Sequence, residues 1–279
     1  MKDNVKPLEL PNVTYVMVET RKHQLARLAM EDCLSKVRFG DVLLLTDTLE
    51  PFEGMFTSGA AVRTHLVEDY PSKMEWCRAN WFTVPPLVAT SHMLLCQWDA
   101  GVWDPNVWNE EFLEYDFIGA VWNWHPSRRV GNTGFCLKST RLARYIYDRR
   151  AKYPCDTDIE DDLLCRTYRA DLEERGFSWA PEHIAHRFSY EGCGANPRPV
   201  LDSHFGFHGA FNFPKVFSDD QLELRANLMG DRPELTYSAQ IIKDGFMFQS
   251  PAITKVSITM PELPEELRQP PTDLESHDA

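Results

Sequence analysis

Apolar residues run almost unbroken through 13–19 (VTYVMVE) and again through 41–47 (DVLLLTD). Between them, residues 22–37 place Leu25, Leu28, Ala29, Cys33 and Leu34 on one helical face. Two nearly continuous apolar strands around an amphipathic helix predict a parallel strand–helix–strand unit buried on both faces. Further along, SKMEWCRANWF (72–82) predicts a helix and Leu87–Gln97 a third parallel strand. RRVGNTGFCLKS supplies a Gly/Asn turn, and helices are expected over about 140–151 and 218–229, with one or two strands over 236–259.

Composition narrows the class. A chain of 279 residues, 43% of them hydrophobic, is long enough to bury one large core. Its apolar runs fall far short of the roughly 20 residues that span a bilayer, so no membrane span is expected. The start MKDNVKPLELPN lacks the basic-then-apolar order of a secretory signal, and a cytoplasmic protein is expected. Seven cysteines without a CxxC pair argue against a disulfide framework and against a structural zinc site. A net charge of −13 repels polyphosphate on average, so nucleic acid would need a local basic groove. The proline-rich acidic tail 261–279 is expected to be disordered.

Ligands of parallel sheets sit beyond the carboxyl ends of the strands. Those ends carry Glu19 and Thr20 after the first strand and Thr46 and Asp47 after the second, either as grips for a nucleotide or as ordinary loop-opening residues. Asp99, in QWDAG, follows the third strand directly, where a carboxylate can hold Mg²⁺ or Mn²⁺ and Ala100 and Gly101 let phosphate approach. Asp104 is either a second acidic ligand or a turn residue before Pro105. In the acidic run Glu160, Asp161 and Asp162, mutual repulsion raises the proton affinity of at least one carboxylate, which suits a general base. The same run fits a helix start with the capping box Thr157–Glu160. His208, in FGFHG, is a candidate metal ligand beside a glycine, and His204 lacks the context of a two-histidine zinc site.

Together these segments resemble a family of glycosyltransferases known mainly from bacterial and viral genomes, and more distantly the β-1,4-galactosyltransferases of the glycosyltransferase A-type fold. The resemblance covers roughly Val13 to Pro214 and is carried, in order, by LLLTD, by QWDAG with WNEEFLEYDFIGAVW, by VGNTGFCLKS, by EDDLLCR and by FGFHG. It implies a Rossmann-like mixed α/β sheet flanked by helices in a single catalytic domain over 13–215. A nucleotide-sugar half spans 13–101 and an acceptor half 102–215, and a C-terminal extension follows over 216–260. It implies that Asp99 ends a metal-binding DxD-type motif whose first position is here Gln97, with Trp98 between them on the donor side. It implies further that His208 completes the metal shell, that Asp161, backed by Glu160, is the catalytic base, and that Gly131, Asn132 and Gly134 form the acceptor and donor-sugar loop. Trp122 and Trp124 would line the sugar pocket, although Trp122 serves equally as core.

The implied activity is inverting transfer of a sugar from a nucleotide-diphosphate sugar, a uridine-diphosphate sugar first, to a hydroxyl of a glycan or small molecule, with Mn²⁺ or Mg²⁺ as cofactor. Two other readings stay open. One is a viral-type enzyme glycosylating a hydroxymethylated base in DNA through Arg128, Arg129, Arg141 and Arg144. The other is a non-catalytic protein that binds sugar or nucleotide.

Overall fold

A computed structural model describes residues 6–55, 61–122, 125–156, 160–191 and 204–230. Trp124, Thr157, the expected strands over 236–259 and the tail 261–279 lie outside the described residues. The chain folds as an α/β protein. Its strands are β1 (Leu8–Val18), β2 (Val37–Thr46), β3 (Arg63–Leu66), β4 (His92–Cys96), β5 (Ala100–Val102), β6 (Phe117–Ile118), β7 (Ala120–Val121), β8 (Val130–Gly131), β9 (Phe135–Ser139), β10 (Ser189–Tyr190) and β11 (Gly206–His208). The helices are α1 (His23–Lys36), α2 (Lys73–Arg78), α3 (Thr140–Asp148), α4 (Glu160–Asp162), α5 (Arg169–Glu174), α6 (Glu182–Phe188), α7 (Phe213–Val216) and α8 (Asp219–Gly230).

The main sheet has the order β3-β2-β1-β4-β9-β6. β3, β2, β1 and β4 run parallel, and β9 runs against both of its neighbours. From Val13 onward every residue of β1 is buried, as are all five residues of β4 and of β9. That is why β1 and β4 read as nearly unbroken apolar runs, both of their faces being covered, whereas β9 buries Lys138 and Ser139 as well. Helix α1 forms where the periodicity places it, but its buried stripe is Leu25, Ala26, Ala29, Met30 and Cys33, whereas Leu28 is half-exposed and Leu34 packs on the core from its rim. The helix is rotated so that small Ala26 meets the sheet. Helix α2 begins with a capping box in which Ser72 accepts from the backbone N–H of Glu75 and the Glu75 carboxylate accepts in return from the Ser72 N–H. The expected single helix over 72–82 ends at Arg78 and continues as a wider turn through Ala79–Thr83.

A smaller sheet in the order β10-β11-β5 stands beside the main one. Its strands are two or three residues long, below what a hydrophobic period can reveal. A separate apolar cluster of Leu25, Tyr190, Phe207, Ala210, Phe213, Leu222, Ala226 and Met229 backs it, so α7 and α8 clamp β11 against α1. Among the described residues, no helix is long and apolar enough to cross a membrane.

The pairing of β1 with β2 slips between Leu10 and Thr14, where Pro11 to Val13 stand against Gly40 alone. Pro11, which has no N–H to give the ladder, sits in this bulge as expected. A Cβ at residue 40 would lie 2.0 Å from the Pro11 carbonyl oxygen, so only glycine lets the strands close. Gly40→Ala is therefore expected to cost about 1–3 kcal/mol, the usual range for an overpacked site. A lower urea midpoint at unchanged m-value would show it, and an unchanged midpoint would contradict it.

Candidate functional site

The register of the small sheet brings together residues far apart in sequence. His208, the last residue of β11, pairs with Ala100, the first of β5, so its neighbour Asp99 lies alongside it. The Gly209 N–H donates to the Asp99 carbonyl at 2.9 Å and locks the pairing one residue further. Parallel pairing of Tyr190 with Phe207 delivers Glu191, the next residue, to the same spot. The result is a tight polar cluster. His208 Nε2 lies 3.6 Å from Asp99 Oδ1 and 3.3 Å from Gln97 Oε1, while His208 Nδ1 lies 3.1 Å from Glu191 Oε1 and 2.7 Å from Asn132 Nδ2.

Two turns hold the cluster in place. Gln97 to Ala100 closes through the Ala100 N–H to the Gln97 carbonyl, and the Gln97 N–H donates to Gly134. Asn132 adopts a left-handed backbone (φ 68°), and its side-chain Oδ1 accepts from the N–H groups of Gly134 at 2.7 Å and Phe135 at 3.3 Å. Asn132 and Gly134 thus take part in the site as shapers of the turn. Gly131 is pressed against the Trp122 ring, which is only 4% exposed and gives its indole N–H to Glu191 Oε2 at 3.1 Å. So buried a Trp122 offers no open face for stacking a sugar.

Burial disfavours the His208 imidazolium more than any other single influence, yet Asp99, then the hydrogen bond and charge of Glu191, then Asp161 together push its pKa up to about 9. Asp161, on α4, is raised to about 7, first by burial and next by repulsion from Glu160, against the opposing pull of Lys73. The two acids of this pair have different surroundings. Glu160 points inward, 3% exposed, and accepts from Thr133 Oγ1 at 2.5 Å, which ties it into the packing, while Asp161 remains partly open to solvent.

Beside the cluster lies a cavity of about 160 Å³ lined by Glu19, Thr20, Arg21, Lys22, Tyr70, Lys73, Trp76, Gln97 and Trp98. Glu19 is fixed by the N–H groups of Arg21 and Lys22, at 2.8 and 2.9 Å, and Thr20 Oγ1 accepts from the Tyr70 N–H. Lys22 sits 5.2 Å over the Trp98 ring. Three cations, Arg21, Lys22 and Lys73, against one carboxylate, Glu19, line this cavity in a chain carrying −13, a balance that favours an anion there. Of the residues expected on the donor side, Glu19, Thr20, Gln97 and Trp98 line this cavity. Asp47 does not; it is held by His23 at 2.6 Å.

Sequence reasoning passed over Arg21, Lys22, Lys73 and Glu191. The signal for the first two was present, since TRK follows directly on the carboxyl end of β1. For Glu191 there was none, because it reaches the site through two-residue strand pairing. The four arginines considered for a DNA groove are engaged elsewhere: Arg128 with Glu173, Arg129 with Glu182, Arg141 with Asp116, and Arg144 with the Val88 carbonyl. Asp104 caps a short turn through its own Asn106, and His204 is 1% exposed, its Nδ1 at the His186 carbonyl.

Among the described residues, no group of three or more His, Cys, Asp or Glu side chains is arranged to hold a metal. The His208 cluster offers two such groups on its Nε2 side, with the Gln97 amide oxygen as a third donor. Asp99 Oδ1 is buried and has no hydrogen-bond partner.

Two outcomes follow from this geometry. A Cβ at residue 134 would fall 2.2 Å from His208 Cδ2 and Nε2, so Gly134→Ala is expected to displace the ring and shift its imidazole NMR resonances; unmoved resonances would contradict the packing. Asp161 binds its proton more tightly folded than unfolded, so it destabilises the fold progressively as pH rises from 3.8 to about 7. Asp161→Asn should therefore gain stability over wild type across that window in denaturant titrations, and a constant difference would contradict the shift.

No curated protein sequence matches the chain. Among solved structures it is similar to the apo form of the glycosyltransferase GlyE of Streptococcus pneumoniae TIGR4, with 13% identity, 85% of this chain and 64% of that chain covered, and a TM-score of 0.44. It is also similar to the mannosyltransferase PcManGT of Pyrobaculum calidifontis, solved with GDP-Man and Mn²⁺ (10% identity, 88% and 79% covered, TM-score 0.45). A third is a glycosyltransferase involved in glycosylation of the major capsid of PBCV-1 (11%, 70% and 91%, TM-score 0.44). Likeness of this degree assigns no function, and the chain spans less than two thirds of the length of GlyE. A family model described as a protein of unknown function (DUF5672) matches residues 64–208, a span that runs from β3 to His208 and contains Gln97, Asp99, Asn132, Asp161 and Glu191. The chain belongs to this family.

Proposed function

We propose that the chain is a glycosyltransferase of the glycosyltransferase A type, moving a sugar from a nucleotide-diphosphate sugar to an acceptor hydroxyl with inversion. The observation that carries the reading is that three subsites share walls. Gln97 lines the cationic cavity and touches His208, while Lys73 lines the same cavity and acts electrostatically on Asp161. An anion site, a cluster of oxygen and nitrogen donors and a carboxyl tuned near neutrality are thereby contiguous, as a transfer from a diphosphate leaving group requires.

The cavity is too small for a whole nucleotide sugar, given that sites for drug-sized ligands run to roughly 300–1,000 Å³, so it seats part of the donor. Arg21, Lys22 and Lys73 hold the diphosphate there, and Trp98 and Tyr70 offer flat faces to the nucleoside. Gln97 Oε1, Asp99 Oδ1 and His208 Nε2 fit a divalent cation, Mn²⁺ or Mg²⁺, because Asp99 Oδ1 is buried without a hydrogen bond and His208 Nε2 stands within 3.6 Å of both it and Gln97 Oε1. Bound there, such a cation would neutralise charge on the departing diphosphate.

Asp161 takes the proton of the acceptor hydroxyl. The freed oxygen forms a bond to the anomeric carbon as the bond from that carbon to the phosphate oxygen breaks, the electron pair leaving with the diphosphate. Lys73, which serves both the cavity and Asp161, balances charge as it passes from acceptor to leaving group. The acceptor is a hydroxyl of a glycan or small molecule; Arg128, Arg129, Arg141 and Arg144, the arginines considered for DNA, are each paired within the chain. A uridine-diphosphate sugar is the first donor to try, on the sequence resemblance.

Release of nucleoside diphosphate from the donor, with water or a glycan as acceptor, tests the base. Asp161→Asn is expected to lower the rate by about 10²–10⁴-fold, the range for losing a general base, while donor affinity is retained. In the wild type kcat/KM should rise with pH and level off above about 7, and the variant should lose that rise. An unimpaired rate in a protein that binds donor would remove the assignment.

A further inference from the structure

His208 Nδ1 faces two groups that make opposite demands on it. Asn132 Nδ2 stands 2.7 Å away, and its identity as the nitrogen is fixed because Oδ1 of the same amide accepts from Gly134 and Phe135. It is a donor, satisfied only if Nδ1 carries a lone pair. Glu191 Oε1, 3.1 Å away, is an acceptor, satisfied only if Nδ1 carries a proton. A cation can bind Nε2 only once that nitrogen has given up its proton, and in the neutral imidazole that results the two choices fix what the far nitrogen presents. When Nδ1 accepts from Asn132, the proton sits on Nε2 and points toward Gln97 and Asp99, and the ring cannot ligate. When Nδ1–H donates to Glu191, Nε2 turns a lone pair toward Asp99 Oδ1.

We infer that Glu191 is the positioning residue that selects the cation-ligating tautomer of His208, and that Trp122 holds it in place for this. The inference rests on the cation reading of the site given above. Trp122 donates its indole N–H to Glu191 Oε2 at 3.1 Å, which leaves Oε1 aimed at the imidazole. Its ring, wedged against the Gly131 backbone with Arg166 5.7 Å from its centre, has little room to move. Carboxylates that orient a ligating histidine typically contribute 10–100-fold to metal affinity. Trp122, on the expected acceptor side, thereby acts on the donor side through two hydrogen bonds. Glu191 itself makes no contact with the reacting atoms in this assignment.

The test is calorimetric titration of the intact protein with Mn²⁺ alone, with thermal melting in the absence of metal run in parallel. Glu191→Gln keeps the size of the side chain and is expected to weaken Mn²⁺ binding by 10–100-fold with little change in metal-free melting. Trp122→Phe, which removes the N–H and keeps most of the ring, should weaken it by less, and Glu191→Asp should recover part of the loss. Binding by Glu191→Gln within twofold of wild type overturns the inference. His208→Ala separates this failure from that of the underlying reading. If wild type binds Mn²⁺ and His208→Ala does not, the cation site stands whatever Glu191 does. If wild type takes up no Mn²⁺, or His208→Ala binds it equally, the cation site falls and the role of Glu191 with it.

Discussion

The site depends on one strand pairing. β5 and β11 are each three residues long, yet their antiparallel register, with His208 opposite Ala100 and the Gly209 N–H bonded to the Asp99 carbonyl, decides whether Asp99 and His208 meet at all. A slip of one residue in a strand sends each side chain to the opposite face and would part them. So short a pairing does not hold register alone. Phe207 fixes it from the other side by packing into the cluster that α7 and α8 form against Leu25, and Gly206 leaves room for the ring of Phe135. Helices α7 and α8 therefore help hold this pairing, although they contribute no side chain to the cluster around His208.

The same packing makes the cluster electrostatically tense. Three carboxylates, those of Asp99, Glu191 and Asp161, act on one largely enclosed imidazole, and their combined influence outweighs the burial that would strip its proton. One buried oxygen of Asp99 is left without a hydrogen bond, a state that costs free energy unless something else satisfies it. A few steps away the balance reverses, and Arg21, Lys22 and Lys73 gather on the wall of the cavity. Negative donors thus stand beside positive side chains, the charge pattern on which the proposed pairing of a diphosphate with a divalent cation rests.

Much of the scaffold was legible because it obeys simple periods. DVLLLTD and the run ending in QWDAG are buried on both faces, so their apolar continuity signalled central parallel strands, and the cavity lined by Glu19, Thr20, Gln97 and Trp98 lies past the carboxyl ends of β1 and β4. Asp99, Asp161 and His208 could be named as candidates, but nothing in the sequence could place Asp99 beside His208; that needed the register of strands too short to have a period. Glu191 was invisible for the same reason. The rotation of α1 toward Ala26 and Met30 was missed because Leu28 and Leu34 are apolar and fit the same face equally well until the sheet selects the smaller side chain. Trp122 shows a different limit. A tryptophan near a proposed sugar site suggests stacking, and only the structure shows the ring buried against Gly131 with its N–H given to Glu191.

Gln97, Asp99 and His208 are proposed to surround one cation next to the cavity lined by Arg21, Lys22 and Lys73. Crystals grown with Mn²⁺ and a nucleoside diphosphate, measured at the manganese absorption edge, test this most directly. The expected result is an anomalous peak between Asp99 Oδ1 and His208 Nε2, with the diphosphate reaching from it into the cavity. A nucleotide bound elsewhere, or manganese absent from that position while the nucleotide is fully occupied, would contradict it.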